Sequence, residues 1–113
     1  MTASLAEHGL MGCWLPVQRL ILLDSGLTPV QRRCVLAHEI SHARHHDSAC
    51  RRNGWEERRA DMEAARLLIN PMEYATLEQI NDNASWIAHE LDVMPWVING
   101  YRDWLHESGV VVQ

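Results

Sequence analysis

Long apolar runs are missing from this 113-residue chain, and so are two whole residue types. No stretch approaches the ~18 consecutive apolar residues a membrane span needs, so no transmembrane helix is expected. The opening stretch MTASLAEHGLMG has neither a basic start nor an apolar run, and does not read as a signal peptide. The three cysteines, Cys13, Cys34 and Cys50, form no Cys-x-x-Cys pair and leave one over, which points to reduced thiols in a cytoplasmic protein. Lysine and phenylalanine are absent. All ten basic residues are arginine, set against 15 acidic ones, and the net charge of −5 argues against a surface specific for nucleic acid. Repeats and low-complexity segments are also lacking.

What remains is a chain with 47% hydrophobic residues, enough for one small domain over 1–113 with a single core. GCWLPVQRLILLD (12–24) has short apolar runs split by a proline and a polar pair, and reads as two strands in a hairpin; nothing else looks like strand. Helix starts then follow in series. Thr28, Pro29 and Gln31 supply an N-cap, a first-turn proline and a capping-box partner, opening a helix through VLAHEISHARHH. Asn53 and Glu56 repeat the spacing before EERRADMEAARLLI, and Asn70, Pro71 and Glu73 open a third helix to about Ile80. Two shorter helices are expected near 84–91 and 95–106. The expected fold is α+β: a small N-terminal strand pair packed on a mostly helical body, with 10–80 as the core unit and 84–106 as a C-terminal helical pair.

Four of the seven histidines lie between positions 38 and 46. On a helix His38 and His42 sit about 40° apart in projection and present both imidazoles on one side. Glu39 is turned about 100° from His38, beside that line. Two nitrogens for zinc and a carboxylate to handle the proton of an activated water are what a metallopeptidase requires. The surrounding Val35, Leu36, Ala37 and Ile40 are apolar, and histidines buried among them are costly unless something such as a metal satisfies them.

A third ligand must come from elsewhere. The pattern with a glycine at 45 and a third histidine at 48 is excluded, because the chain has His45 and Ser48. The other common solution is a glutamate on a following helix, with an aspartate one turn on that braces a ligand histidine. Glu57 and Asp61 have that spacing. Ala60, Ala64 and Ala65 beside them would let this helix approach the first closely. Glu56 and Glu63 are rivals, but neither has an aspartate four residues later.

RRCVLAHEISHARHH followed by WEERRADMEAARLLINP resembles the ImmA/IrrE family of zinc metallopeptidases, and the likeness extends back over GCWLPVQRLILLD to cover about 10–105. Two positions depart from the family pattern: Glu63 stands where an aromatic is usual, and Pro71 comes one residue late. The resemblance implies a zincin-like, cytoplasmic endopeptidase of bacteria, phages or mobile elements, with His38, His42 and Glu57 on Zn2+, Glu39 as catalytic base and Asp61 behind a ligand. It also implies a protein partner, a helix-turn-helix repressor whose cleavage derepresses stress or mobile-element genes. The competing readings are an anti-repressor that binds without cutting, and a DNA-binding module.

That last reading rests on IAHELDVMPWVINGYR (87–102), which resembles a helix-turn-helix with Ala88, Leu91 and Val93 at core-like positions. Its second helix offers only Arg102 and Asn99 as readers, so packing is the better role. His45 and His46 are expected to be exposed at the end of the first helix, and Cys34 to be a buried thiol. Tyr74, His89 and Tyr101 are candidates for stabilising an oxyanion.

Overall fold

The computed structural model describes residues 1–5, 10–48 and 53–109. Its strands are β1 (Thr2–Ala3), β2 (Gly12–Leu15) and β3 (Leu20–Asp24). β2 and β3 form the expected antiparallel hairpin, with Leu15 opposite Leu20 and Gly12 opposite Leu23. The turn closes as Arg19 N–H donates to the Pro16 carbonyl at 3.3 Å. β1 was not expected. It pairs parallel with β3, giving the order β1-β3-β2, and makes the sheet three-stranded rather than a simple pair. Two residues carry no alternation to read, so this strand exists only through its partner. Asp24 ties the sheet's end together, accepting from Leu5 N–H at 2.8 Å and Gly26 N–H at 3.0 Å.

Five helices follow: α1 (Pro29–Arg44), α2 (Gly54–Leu68), α3 (Pro71–Ile80), α4 (Ala84–Leu91) and α5 (Pro95–Ser108). Both expected capping boxes form. Gln31 N–H donates to Thr28 Oγ1 while Thr28 N–H donates to Gln31 Oε1. Asn53 and Glu56 exchange the same pair of bonds at the start of α2. Such caps satisfy amides that a first turn otherwise leaves without partners.

The core lies where α1 to α5 meet, around Cys34, Ala65, Tyr74, Ile87, Ile98 and Tyr101. Ala88 and Val93 are buried as the helix-turn-helix likeness suggests, and the chain turns at Asp92 in the left-handed region. Arg102, one of the two would-be DNA readers, is committed inward: it donates to Tyr74 Oη at 2.9 Å and also to the Asp82 carbonyl. Cys34 is free and fully buried, and burial raises its thiol pKa. Cys13 is disulfide-bonded, which corrects the expectation of reduced thiols at that position. Cys50 lies outside the described residues. No described helix is long and apolar enough to cross a membrane.

Two glycines set the spacing around α1 and α2. A Cβ on Gly12 would meet Val35 Cγ1 at 2.7 Å and Glu39 Cγ at 3.1 Å, so β2 lies directly on the turn of α1 that carries Glu39. A Cβ on Gly100 would meet the Asp61 carbonyl oxygen at 2.7 Å, which is backbone and cannot step aside. Gly to Ala inside a helix ordinarily stabilises by roughly 0.5–1 kcal/mol. At Gly100 the clash with α2 outweighs that gain, and Gly100→Ala is expected to destabilise by about 1–2 kcal/mol. Urea denaturation measures it; a raised midpoint would show that α5 does not seat against Asp61 as described.

Candidate metal centre

α1 and α2 are brought together by small residues. Ala60, Ala64 and Ala65 of α2 are all buried, with at most 1% exposure, and leave no side chain to hold the helices apart. Glu57, one turn before Ala60, therefore reaches the histidine face of α1. Its Oε2 lies 3.0 Å from His38 Nε2 and its Oε1 lies 3.1 Å from His42 Nε2. The two Nε2 atoms are themselves 3.1 Å apart. Two imidazole nitrogens and the Glu57 carboxylate thus converge, one possible ligand atom from each residue lying within 4.8 Å of the others, and the group His38, His42 and Glu57 is the only such cluster among the described residues.

The donor set fits a metal ion. Ligands at ~2.0–2.1 Å in a tetrahedron stand roughly 3.3 Å from one another, close to the separations here. Two imidazoles and one carboxylate also suit zinc's preference for nitrogen and oxygen ligands with a fourth position left open. The local charge favours a cation. Burial alone would lower the pKa of His38, but its hydrogen bond to Asp61 and the negative charges of Asp61, Glu39 and Glu57 raise it above the ordinary value.

Each histidine has its other nitrogen fixed. His38 Nδ1–H donates to Asp61 Oδ1 at 2.8 Å, the brace expected from the four-residue spacing after Glu57. His42 Nδ1–H donates to Asp47 Oδ2, also at 2.8 Å, and nothing in the helical spacing announces that bond. Asp47 lies beyond α1. It reaches back because His46 adopts the left-handed conformation (φ 54°) and Asp47 N–H donates to the His42 carbonyl at 3.0 Å. Burial would raise Asp47's pKa. Hydrogen bonds with His42, Glu56 and Arg59, with the charge of Arg59, outweigh it and hold the carboxyl below its usual value. Arg59 donates to Asp47 Oδ2 and lies over the Trp55 ring at 5.2 Å. A chain of contacts thus runs from Trp55 through Arg59 and Asp47 to His42. The readable signal was an aspartate just after a histidine helix, but its use depends on a turn that periodicity does not describe.

Glu39 is buried and its Oε2 stands 4.0 Å from His38 Nε2, beside the cluster and outside ligand distance. The rivals for third ligand are engaged elsewhere. Glu56 completes the cap of α2. Glu63, at the position where the resembled family carries an aromatic, accepts from Ser41 Oγ–H at 2.7 Å and bonds His45 Nε2 at 2.8 Å. Hydrogen bonds from Ser41 and His45, against an opposing effect of burial, keep its carboxyl below the ordinary range. His45 is therefore exposed but paired, rather than free at a helix end. Trp96 of α5 sets its ring edge-on to His38 at 5.7 Å, another contact the sequence did not disclose. Of the oxyanion candidates, Tyr74 is fully buried with its hydroxyl bound by Arg102, Tyr101 is packed in the core, and His89 is exposed on α4.

The family model of the IrrE N-terminal-like domain, peptidase family M78, matches residues 4–95. The chain belongs to this family. Membership in M78 supports a metallopeptidase type of function, and His38, His42 and Glu57 form a group that could hold a metal ion. No curated protein and no solved structure gives a significant match.

The two braces generate a test. Losing a hydrogen-bond partner of a metal-ligating histidine typically costs ~10–100-fold in metal affinity. Asp47→Asn is expected to weaken metal binding by that order, comparably to Asp61→Asn, and Glu57→Gln by more, with Glu63→Gln unchanged. Competition against a chromophoric chelator measures this. Unaltered affinity in Asp47→Asn, with helix content preserved, would remove Asp47 from the site.

Proposed function

We propose that this protein is a zinc-dependent endopeptidase in which His38, His42 and Glu57 hold the ion and Glu39 moves the proton. The observation that carries the reading is the convergence of the two imidazole nitrogens and the two Glu57 carboxylate oxygens at about 3 Å, with Glu39 next to them at 4.0 Å. Zinc bound there would supply a Lewis acid that makes water a nucleophile near neutral pH and polarises a peptide carbonyl. The chain's own residues do the rest. Asp61 and Asp47 hold the two imidazoles with Nδ1 protonated, which leaves each Nε2 lone pair for the ion. Glu39, through Oε2, accepts a proton from the attacking water and delivers it to the departing amide nitrogen. Its burial at 3% exposure keeps bulk water from competing for that proton.

The substrate we propose is a helix-turn-helix repressor, on the strength of the ImmA/IrrE resemblance. Inactivating such a repressor would derepress stress or mobile-element genes in a cytoplasmic setting. α5 serves packing rather than DNA reading in this account, in keeping with the inward commitment of Arg102.

Glu39→Gln separates a peptidase from an anti-repressor that only binds. The amide is nearly the same size but cannot take the proton. The variant is expected to keep zinc and fold while cleavage falls ~10²–10⁴-fold, the usual worth of a positioned base. Mass spectrometry of a repressor encoded beside this gene, after mixing with either form, reads the outcome. Intact repressor released from its operator equally by both forms would contradict the catalytic assignment.

A further inference from the structure

Beside the metal cluster, an open cavity of about 550 Å3 lies between the hairpin and the end of α1, lined by Trp14, Pro16, Arg19, Ala43, Arg44 and His46. Its ionisable lining is all basic, in a chain of net charge −5. The described arginines Arg33, Arg58, Arg59, Arg66 and Arg102 each have a protein partner. Arg19, Arg32 and Arg44 have none among the described residues, and two of these three, Arg19 and Arg44, line the cavity. Trp14, which is 7% exposed, lines the cavity with its ring, while its indole N–H is buried away from solvent.

Two of the basic residues sit where the backbone disfavours them. Arg19 and His46 both have positive φ, 53° and 54°, at a hairpin turn and just past a helix end. Glycine or asparagine is the ordinary choice at such points. Here both positions carry donors, and both face the same cavity.

Its place relative to Glu39 gives it a use. Ala43 is four residues after Glu39, on the same face of α1, and β2 follows that face from Gly12 beside Glu39 to Trp14 and Pro16 at the cavity. Among the described strands β2 pairs only with β3 and forms the sheet's edge, the kind of strand along which an extended peptide can align. Residues 43–46 lie roughly 6–10 Å beyond Glu39 along the helix axis. At about 3.3 Å per extended residue, that is two or three peptide positions.

We infer that the Trp14–Arg19–Arg44–His46 cavity is a substrate subsite that binds a carboxylate two or three residues from the scissile bond. It rests on the peptidase reading for the scissile bond, though not for the binding itself. Guanidinium groups donate in paired fashion to a planar carboxylate, and the imidazole of His46 adds a further N–H donor.

The test uses zinc-loaded Glu39→Gln protein and fluorescein-labelled, C-terminally amidated dodecapeptides, each with one glutamate moved position by position through a neutral sequence. A glutamine series and a glutamine series ending in a free carboxylate complete the set. Fluorescence anisotropy is expected to show at least ~10-fold tighter binding for one register of glutamate, or for the free carboxylate, than for glutamine. Adding Arg19→Gln and Arg44→Gln should abolish that preference without changing zinc content or thermal stability, and Arg44→Glu should favour lysine in the same register. Equal binding of all series, or a preference that survives both glutamine substitutions, overturns the subsite. Cleavage by the wild type with no acidic preference would sink the subsite and spare the peptidase. An acidic preference without any cleavage by the wild type would do the reverse.

Discussion

Two helices must lie close enough for one carboxylate to reach two imidazoles, and this approach governs most of the molecule. Glu57 spans to His38 and His42 at 3.0 and 3.1 Å because Ala60, Ala64 and Ala65 leave α2 with no bulk toward α1. Behind α2, Gly100 lets α5 press against the Asp61 backbone. In front of α1, Gly12 lets β2 press against Glu39. The small residues are thus placed where a larger side chain would push Glu39, Glu57 or Asp61 off its position. A half-ångström error there matters, since metal geometry tolerates little.

Buried histidines and carboxylates in a small domain are expensive unless their charges and hydrogen bonds are answered. Here each finds an answer in a neighbour. Asp61 secures His38 from within α2, where it is held by α5. Asp47 secures His42 from the turn after α1 and is itself held by Arg59. The two braces come from different parts of the chain, so the two imidazoles are fixed independently. Ser41, Glu63 and His45 form a further polar link between α1 and α2. It shows how a glutamate is accommodated at a position where the resembled family has an aromatic: the carboxylate is met by donors from α1.

Much of this was legible in the sequence because it is local. Capping boxes, first-turn prolines and the four-residue spacings of His38–His42 and Glu57–Asp61 all belong to single helices, where periodicity speaks directly. Five helices and the hairpin followed from such signals. What escaped were the features made by the chain's return on itself. β1 is a strand only because β3 is beside it. Asp47 is a partner of His42 only because His46 turns left-handed. Tyr74 and Tyr101 were plausible for the site by residue type, but packing drew them into the core. The cysteines show the same limit, since no Cys-x-x-Cys pair in the sequence announces a disulfide at Cys13.

The central claim is that two imidazole nitrogens and one carboxylate oxygen bind a single ion. Metal analysis combined with zinc K-edge X-ray absorption on the purified protein tests it most directly. The expected result is one zinc per chain, in a shell of nitrogen and oxygen scatterers at ~2.0–2.1 Å whose imidazole signature corresponds to two histidines. A well-folded protein without metal, or a shell containing sulfur at ~2.3 Å, would contradict the account.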